Sequence, residues 1–282
     1  MSVPNREFKD RLFSFIYGSD ENRAWTLSLY NAVSGRNYTD PSLIEITTIR
    51  EIVYLSMHND VSFIISDEMN LYEQQSTYNP NMPLRLLEYS VNLYEKHITA
   101  HKLNKLGSKL VKLPVPKLVV FYNGTRDADD ETILRLSDSF PEGADADIEV
   151  RVRMINVNRG RSAALLDACQ SLREYAWLVA EIRENQRTAE IEEAVDRAIA
   201  AIPPEFEIKP FLDQHRAEVK GMLLTEYNEA EVMELFKEEG LAQGREEGRA
   251  EGREEAILSA AQNVAAKFHI SLDEARAIVA AI

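Results

Sequence analysis

Asp60 and Glu73, thirteen residues apart, flank a stretch that reads as a tight hairpin, and Gln75 follows one residue beyond Glu73. Val61 to Ile65 is rich in β-branched and aromatic residues, Ser66-Asp67-Glu68-Met69-Asn70 has turn character, and Leu71 to Thr77 resumes strand-forming residues. A turn centred on Asp67-Glu68 pairs Asp60 with Gln75 and Ser62 with Glu73. Directly opposed residues share a sheet face, as do residues two apart on one strand, so Asp60, Glu73 and Gln75 are expected to point the same way. In that register the two carboxylates are diagonal neighbours with Cβ atoms roughly 7 Å apart. Two carboxylates so placed suit Mg²⁺ or another hard divalent cation, which takes a few carboxylate oxygens and keeps several waters for the substrate side. Such a cation polarises a phosphoryl oxygen and acidifies a bound water, the chemistry that phosphodiester hydrolysis requires. Gln75 is expected to orient that water or the phosphate by hydrogen bonds, and it carries no charge. A slip of one residue in register would separate Asp60 from Glu73.

These residues sit within an ordered series of short strings. Asn59-Asp60-Val61-Ser62-Phe63 precedes Tyr72-Glu73-Gln74-Gln75-Ser76-Thr77; then come Asn79-Pro80-Asn81-Met82-Pro83-Leu84-Arg85, Phe121-Tyr122-Asn123-Gly124, Asn156-Val157-Asn158-Arg159-Gly160 and Arg216-Ala217-Glu218-Val219. The series resembles the PD-(D/E)XK nuclease superfamily, and more closely its recombination-promoting nuclease (Rpn) and transposase-like branch, over roughly residues 8–240. The resemblance implies an α/β fold with a restriction-endonuclease-like αβββαβ core and a C-terminal helical extension. It implies Asp60 and Glu73 as metal ligands and Gln75 in the place where other members carry lysine. Glu7, Asp10 and Glu21 are alternatives for a further acid on the first helix. Arg85 and Tyr89, four apart on the helix after the hairpin, share one face and are expected to contact phosphate or to support Gln75.

The remaining composition bounds the partners. The chain has 282 residues, 45% of them hydrophobic, enough for a sizeable core. Its single cysteine, Cys169, excludes an intrachain disulfide and a cysteine-based zinc cluster. No apolar signal core opens the sequence and no run reaches a membrane span, which gives the expectation of a cytoplasmic protein with no membrane partner. The net charge of −15 argues against indiscriminate nucleic-acid binding, but residues 1–120 are neutral, with thirteen lysines and arginines against thirteen acids. Lys96, Lys102, Lys105, Lys109, Lys112 and Lys117 fall in one stretch that contains no acid. Lys102, Lys105, Lys109 and Lys112 are therefore candidates for holding the DNA backbone without reading its sequence.

Helical spacing is read over Glu7 to Tyr17 and Glu21 to Val33, with Ser19 or Asp20 as a cap. A first strand is expected over Leu43 to Ile49, a helix after Pro83 carrying Leu84, Leu87, Val91 and Leu93, a buried strand over Lys117 to Tyr122, and a strand with one polar face over Ile148 to Val157. Asp127 to Asp130 is read as a solvated turn. From Ala163 onward Leu165, Cys169, Leu172, Ala176 and Val179 form one apolar stripe, and Ile191, Ala194, Ala198 and Ile202 another. The expected division is a nuclease-like core over 1–160, a helical part over 161–239, and a segment over 240–282. The last begins with a four-residue Gly-Arg-Glu repeat over 240–255, read as a parallel self-association stripe, and continues with a capping box at Ser271-Leu272-Asp273-Glu274. The reading is a Mg²⁺-dependent DNA endonuclease; the alternative is a catalytically degenerate nuclease fold that binds nucleic acid or protein, and RNA is a further candidate substrate.

Overall fold

The computed structural model describes residues 12–47, 60–225, 258–263 and 271–280, together with Arg245 and Lys267. The chain divides into two compact units, Met1–Tyr227 and Asn228–Ile282, so the helices between residues 163 and 225 belong to the same unit as the sheet.

The first unit is a mixed α/β layer structure. Helix α1 (Leu12–Tyr17) leads through a turn of 3-10 helix at Asp20–Asn22 into α2 (Arg23–Ser34). The Ser19 hydroxyl caps that turn by accepting from the Glu21 N–H, and Gly35 closes α2 in the left-handed conformation at φ 69°, its N–H reaching Asn31 O. Three antiparallel strands follow: β1 (Glu45–Ile46), β2 (Val61–Ile65) and β3 (Glu68–Gln75). Helix α3 (Met82–Ala100) then carries the chain to β4 (Val115–Tyr122), which lies parallel to β3; β5 (Glu131–Arg135) and β6 (Arg151–Asn156) complete the order β1-β2-β3-β4-β6-β5, with β6 parallel to β4 and β5 antiparallel to β6.

Strand alternation divides the core between two faces. Val61, Phe63, Tyr72, Val119 and Phe121 point toward α1, α2 and α5 (Gln170–Asn185) in the larger apolar cluster. Leu71, Val120, Tyr122, Val152 and Met154 point the other way, onto Met82, Leu86, Tyr89 and Leu93 of α3. Helices α4 (Ala163–Ala168), α6 (Ile191–Ala200), α7 (Lys209–Gln214) and α8 (residues 216–225) add to this unit. In the second unit α9 (Leu272–Ala280) starts at the expected capping box: Ser271 Oγ accepts from Glu274 N at 3.3 Å while Glu274 Oε2 accepts from Ser271 N at 3.0 Å.

Several expectations need correction. The hairpin turns at Ser66-Asp67, not Asp67-Glu68, with Ser66 at φ 56°, so Ile65 pairs with Glu68 and Val61 with Tyr72. Of the expected first strand the described residues form Glu45–Ile46, after a 3-10 turn at Pro41–Leu43, with residues 48 and 49 outside them, and β6 starts at Arg151, after an exposed Ile148. On α3 the buried stripe is Met82, Leu86, Tyr89 and Leu93; Leu84 and Val91 face solvent, since both stripes have helical spacing and only one can meet the sheet. The single stripe from Leu165 to Val179 belongs to two helices, because Cys169 is extended (φ −133°, ψ 97°) between α4 and α5. Cys169 itself is buried, as expected. Ile191, Ala194, Ala198 and Ile202 form the expected stripe of α6, with Ala194, Ala198 and Ile202 buried. The glycine repeat lies outside the described residues except Arg245, as does the first helix before Leu12.

Candidate functional site

The sequence of β2 and β3 fixes where the two carboxylates stand. Extending the observed register by one step past Val61–Tyr72 sets Asp60 opposite Glu73, so they are direct neighbours and not the diagonal pair expected. The register moved by two residues, an even number, and the shared face is therefore retained. Asp60, Glu73 and Gln75 all lie on the α3 side of the sheet, opposite to Tyr72 and Phe63.

Each group is buried and oriented. Glu73 is 1% exposed, Gln75 8% and Asp60 9%. The Asp60 N–H donates to Glu73 Oε1 at 3.0 Å, and Asp60 Oδ2 accepts from the Gln74 N–H at 2.7 Å. The Ser14 hydroxyl of α1 donates to the Asp60 carbonyl oxygen, and the carbonyl lies close to Gly18, just after that helix. α1 thereby fixes Asp60 from the other side of the sheet. Nothing in the spacing of the sequence singled out Ser14.

Arg85 comes from the first turn of α3, which Pro83 starts. Its Nη2 lies 3.8 Å from Glu73 Oε2 and donates to the Tyr89 hydroxyl at 3.1 Å. Burial, then the negative charge of Glu73, pushes the Tyr89 phenol above its ordinary value, against the hydrogen bond from Arg85; Asp60 adds to the rise. The helical pair read from the sequence is thus brought onto the carboxylates. Gln75 Nε2 is buried and has no hydrogen-bond partner, a donor held ready on the same face.

The loops behind β4 and β6 brace the end of β3. Asn123 N donates to Gln75 O at 3.1 Å, Gln74 Nε2 donates to Asn123 Oδ1 at 2.8 Å, and Asn158 Nδ2 donates to Gly124 O at 2.9 Å. The strings Phe121 to Gly124 and Asn156 to Gly160 are therefore one interlocked support. A Cβ built at Gly124 would lie 2.5 Å from the Tyr122 hydroxyl and closer still to the Ser76 carbonyl oxygen, so only glycine fits there.

The lysines are not brought to the site. α3 spans 19 residues and carries the chain roughly 28 Å away before they occur. Lys102, Lys105, Lys109 and Lys112 are exposed at the far end of the sheet, where Val115 pairs with Glu68. Lys105 is ion-paired with Glu95, Lys117 lies 3.6 Å from Glu68, and Lys96 reaches Thr47 O. Of the alternatives for a further acid, Glu7 and Asp10 lie outside the described residues, and Glu21 is exposed. Asp127 and Asp130 form the expected surface turn, paired with Arg161.

Among the described residues no group of three or more His, Cys, Asp or Glu side chains gathers to hold a metal. Two carboxylates are still a ligand pair that a hard cation accepts when substrate and water complete its shell, with the Gln75 amide N–H left to donate to that water or substrate. Among the described residues no helix is long and apolar enough to cross a membrane. No family model matches the chain, and no curated protein or solved structure matches it.

Proposed function

We propose that the chain is a divalent-metal-dependent phosphodiesterase acting on DNA, an endonuclease of the recombination-promoting type with a restriction-endonuclease-like core. The observation that carries the reading is the convergence of Asp60, Glu73 and Gln75 on one face of a hairpin, beneath Arg85, with Gln75 Nε2 buried and unpartnered. The order of helix, three antiparallel strands, helix and parallel strand agrees with it.

Asp60 and Glu73 would hold Mg²⁺, which when bound would supply charge neutralisation of the phosphate and a more acidic water. The backbone N–H groups of Asp60 and Gln74 fix one oxygen of each carboxylate, leaving its orientation independent of solvent. Gln75 donates to a phosphate or water oxygen, and Arg85 offers a cation to the scissile phosphate from the helix side.

A second reading, a nuclease-like fold that binds without cutting, has one observation in its favour. Arg85 already faces Glu73 Oε2, so the site is partly neutralised by its own residues. Nicking of supercoiled plasmid with and without Mg²⁺, comparing the wild type with Asp60→Asn and Glu73→Gln, separates the two. Metal-dependent nicking lost in both variants supports the enzyme. Salt-sensitive DNA binding with no nicking supports the binding module, and cutting confined to a parallel RNA substrate would move the reading to RNA.

A further inference from the structure

The opposite face of the same strand carries a second polar cavity. Asn70 and Tyr72 alternate with Leu71 and Glu73 along β3, so they point toward α2 and away from the carboxylates. The parallel register sets Asn70 beside Lys117 and Tyr72 beside Val119, and Val119 beside Arg153. Arg151 shares the face of Arg153, and Arg36 follows the end of α2. Together they border a cavity of about 460 Å³, whose apolar wall includes Val33, Pro116 and Leu118. That volume lies within the ordinary range for small-molecule sites.

The polar lining is unbalanced in one direction. Two of the acceptors are engaged: Val33 O takes a hydrogen bond from Arg153 Nη1 at 3.1 Å, and Glu68 takes one from the Tyr30 hydroxyl at 2.9 Å and faces Lys117. The donors are in excess. Asn70, 1% exposed, has a buried Nδ2 with no partner, and the buried Tyr72 hydroxyl has none either. The guanidinium groups of Arg36 and Arg151 make no ion pair among the described residues, whereas Arg153 is held by Glu131 through Nε and Nη2 at 3.0 and 2.9 Å. Buried donors without acceptors are costly, and a ligand that supplies several acceptor oxygens and negative charge would relieve the imbalance.

We propose that this cavity binds a small phosphate monoester with an organic body of about nucleoside size, its phosphate held by Arg36, Arg151, Asn70 Nδ2 and the Tyr72 hydroxyl. A guanidinium presents paired N–H donors that match phosphate oxygens, and the amide and phenol donate from the floor. The apolar wall takes the organic part. The site uses no residue of the carboxylate cluster, so it stands or falls independently of the proposed nuclease activity.

Isothermal titration of the full chain tests this with four probes: adenosine 5′-monophosphate, inorganic phosphate, adenosine, and a short single strand bearing a 5′-phosphate. The monophosphate is expected to bind, phosphate to bind more weakly, and adenosine not to bind. Arg151→Gln and Tyr72→Phe are each expected to weaken the monophosphate about tenfold. Arg151 is exposed and Tyr72→Phe keeps the ring, so both variants should fold, and their melting temperatures without ligand verify it. Absence of monophosphate binding, equal affinity for adenosine, or unchanged affinity in both variants would overturn the assignment. A phosphorylated strand that binds more tightly than the monophosphate and loses that affinity in Arg151→Gln would also overturn it, by giving the site to a nucleic-acid end.

Discussion

Glu73 Oε1 accepts the hydrogen bond that the Asp60 backbone N–H donates at 3.0 Å, so one member of the carboxylate pair fixes the backbone of the other. The side chain of Glu73 therefore has a folding role and a proposed chemical role that one substitution can separate. Glu73→Gln keeps an oxygen acceptor and should cost no more than about 1 kcal/mol of stability, whereas Glu73→Ala leaves a buried N–H unsatisfied and should cost about 2–4 kcal/mol. Both should lower Mg²⁺-dependent nicking at least a hundredfold, roughly, since both remove the charge that a cation needs. Chemical denaturation and plasmid nicking, run on the same preparations, check the pair of outcomes.

The separation of the lysine loop from the carboxylates makes a prediction about substrate length. Arg85 and Lys102 lie seventeen residues apart along α3 and its end, roughly 25 Å. Substituting Lys102, Lys105, Lys109 and Lys112 by glutamine should weaken binding of long DNA and reduce its logarithmic salt slope by at most about 4. A duplex shorter than about eight base pairs cannot span that distance and should bind the variant as it binds the wild type. Fluorescence anisotropy across a salt series, on a long and a short duplex, measures both.

Gly124 is the tightest point of the support beneath β3. Gly124→Ala forces a methyl group against the Ser76 carbonyl and against Tyr122, whose hydroxyl is held by Arg126 O. The expected destabilisation is about 1–3 kcal/mol, read as a shift in the denaturation midpoint. Nicking should fall as well if Gln75, whose carbonyl Asn123 holds, is displaced.

Arg153 holds the Glu131 carboxyl below the usual glutamate value, chiefly through their hydrogen bonds. A carboxyl whose folded value is depressed contributes stability above its unfolded value, and that contribution is lost as pH falls through the folded one. Glu131→Gln should therefore be less stable than the wild type at neutral pH, by under about 1 kcal/mol because the pair is partly exposed, and the difference should vanish in acid. Thermal melts from neutral pH down past the glutamate range check the sign.

Much of this arrangement was legible in residue order, and the exceptions have physical causes. The common face of Asp60, Glu73 and Gln75 follows from a period of two, which survives a register shift of two residues; the turn itself was misplaced because Ser66, not a glycine or asparagine, takes the positive φ. The stripe through Cys169, partly buried at Leu165 and buried from Cys169 on, crosses a helix break that no glycine or proline announces. The lysines follow the hairpin in sequence and lie at its turn end, far in space from its carboxylates, since the chain climbs the whole of α3 between them. The cavity behind β3 draws on four separated stretches of chain, in which Arg151 and Arg153 read only as a polar strand face.

β3 is a divider that serves two compartments with alternate teeth, odd positions toward one and even positions toward the other. Deleting Leu71 would trade the occupants that follow it, turning Glu73 toward the arginines and the Tyr72 phenol toward α3. Neither compartment can drift in length without its neighbour, so both are inherited as a unit.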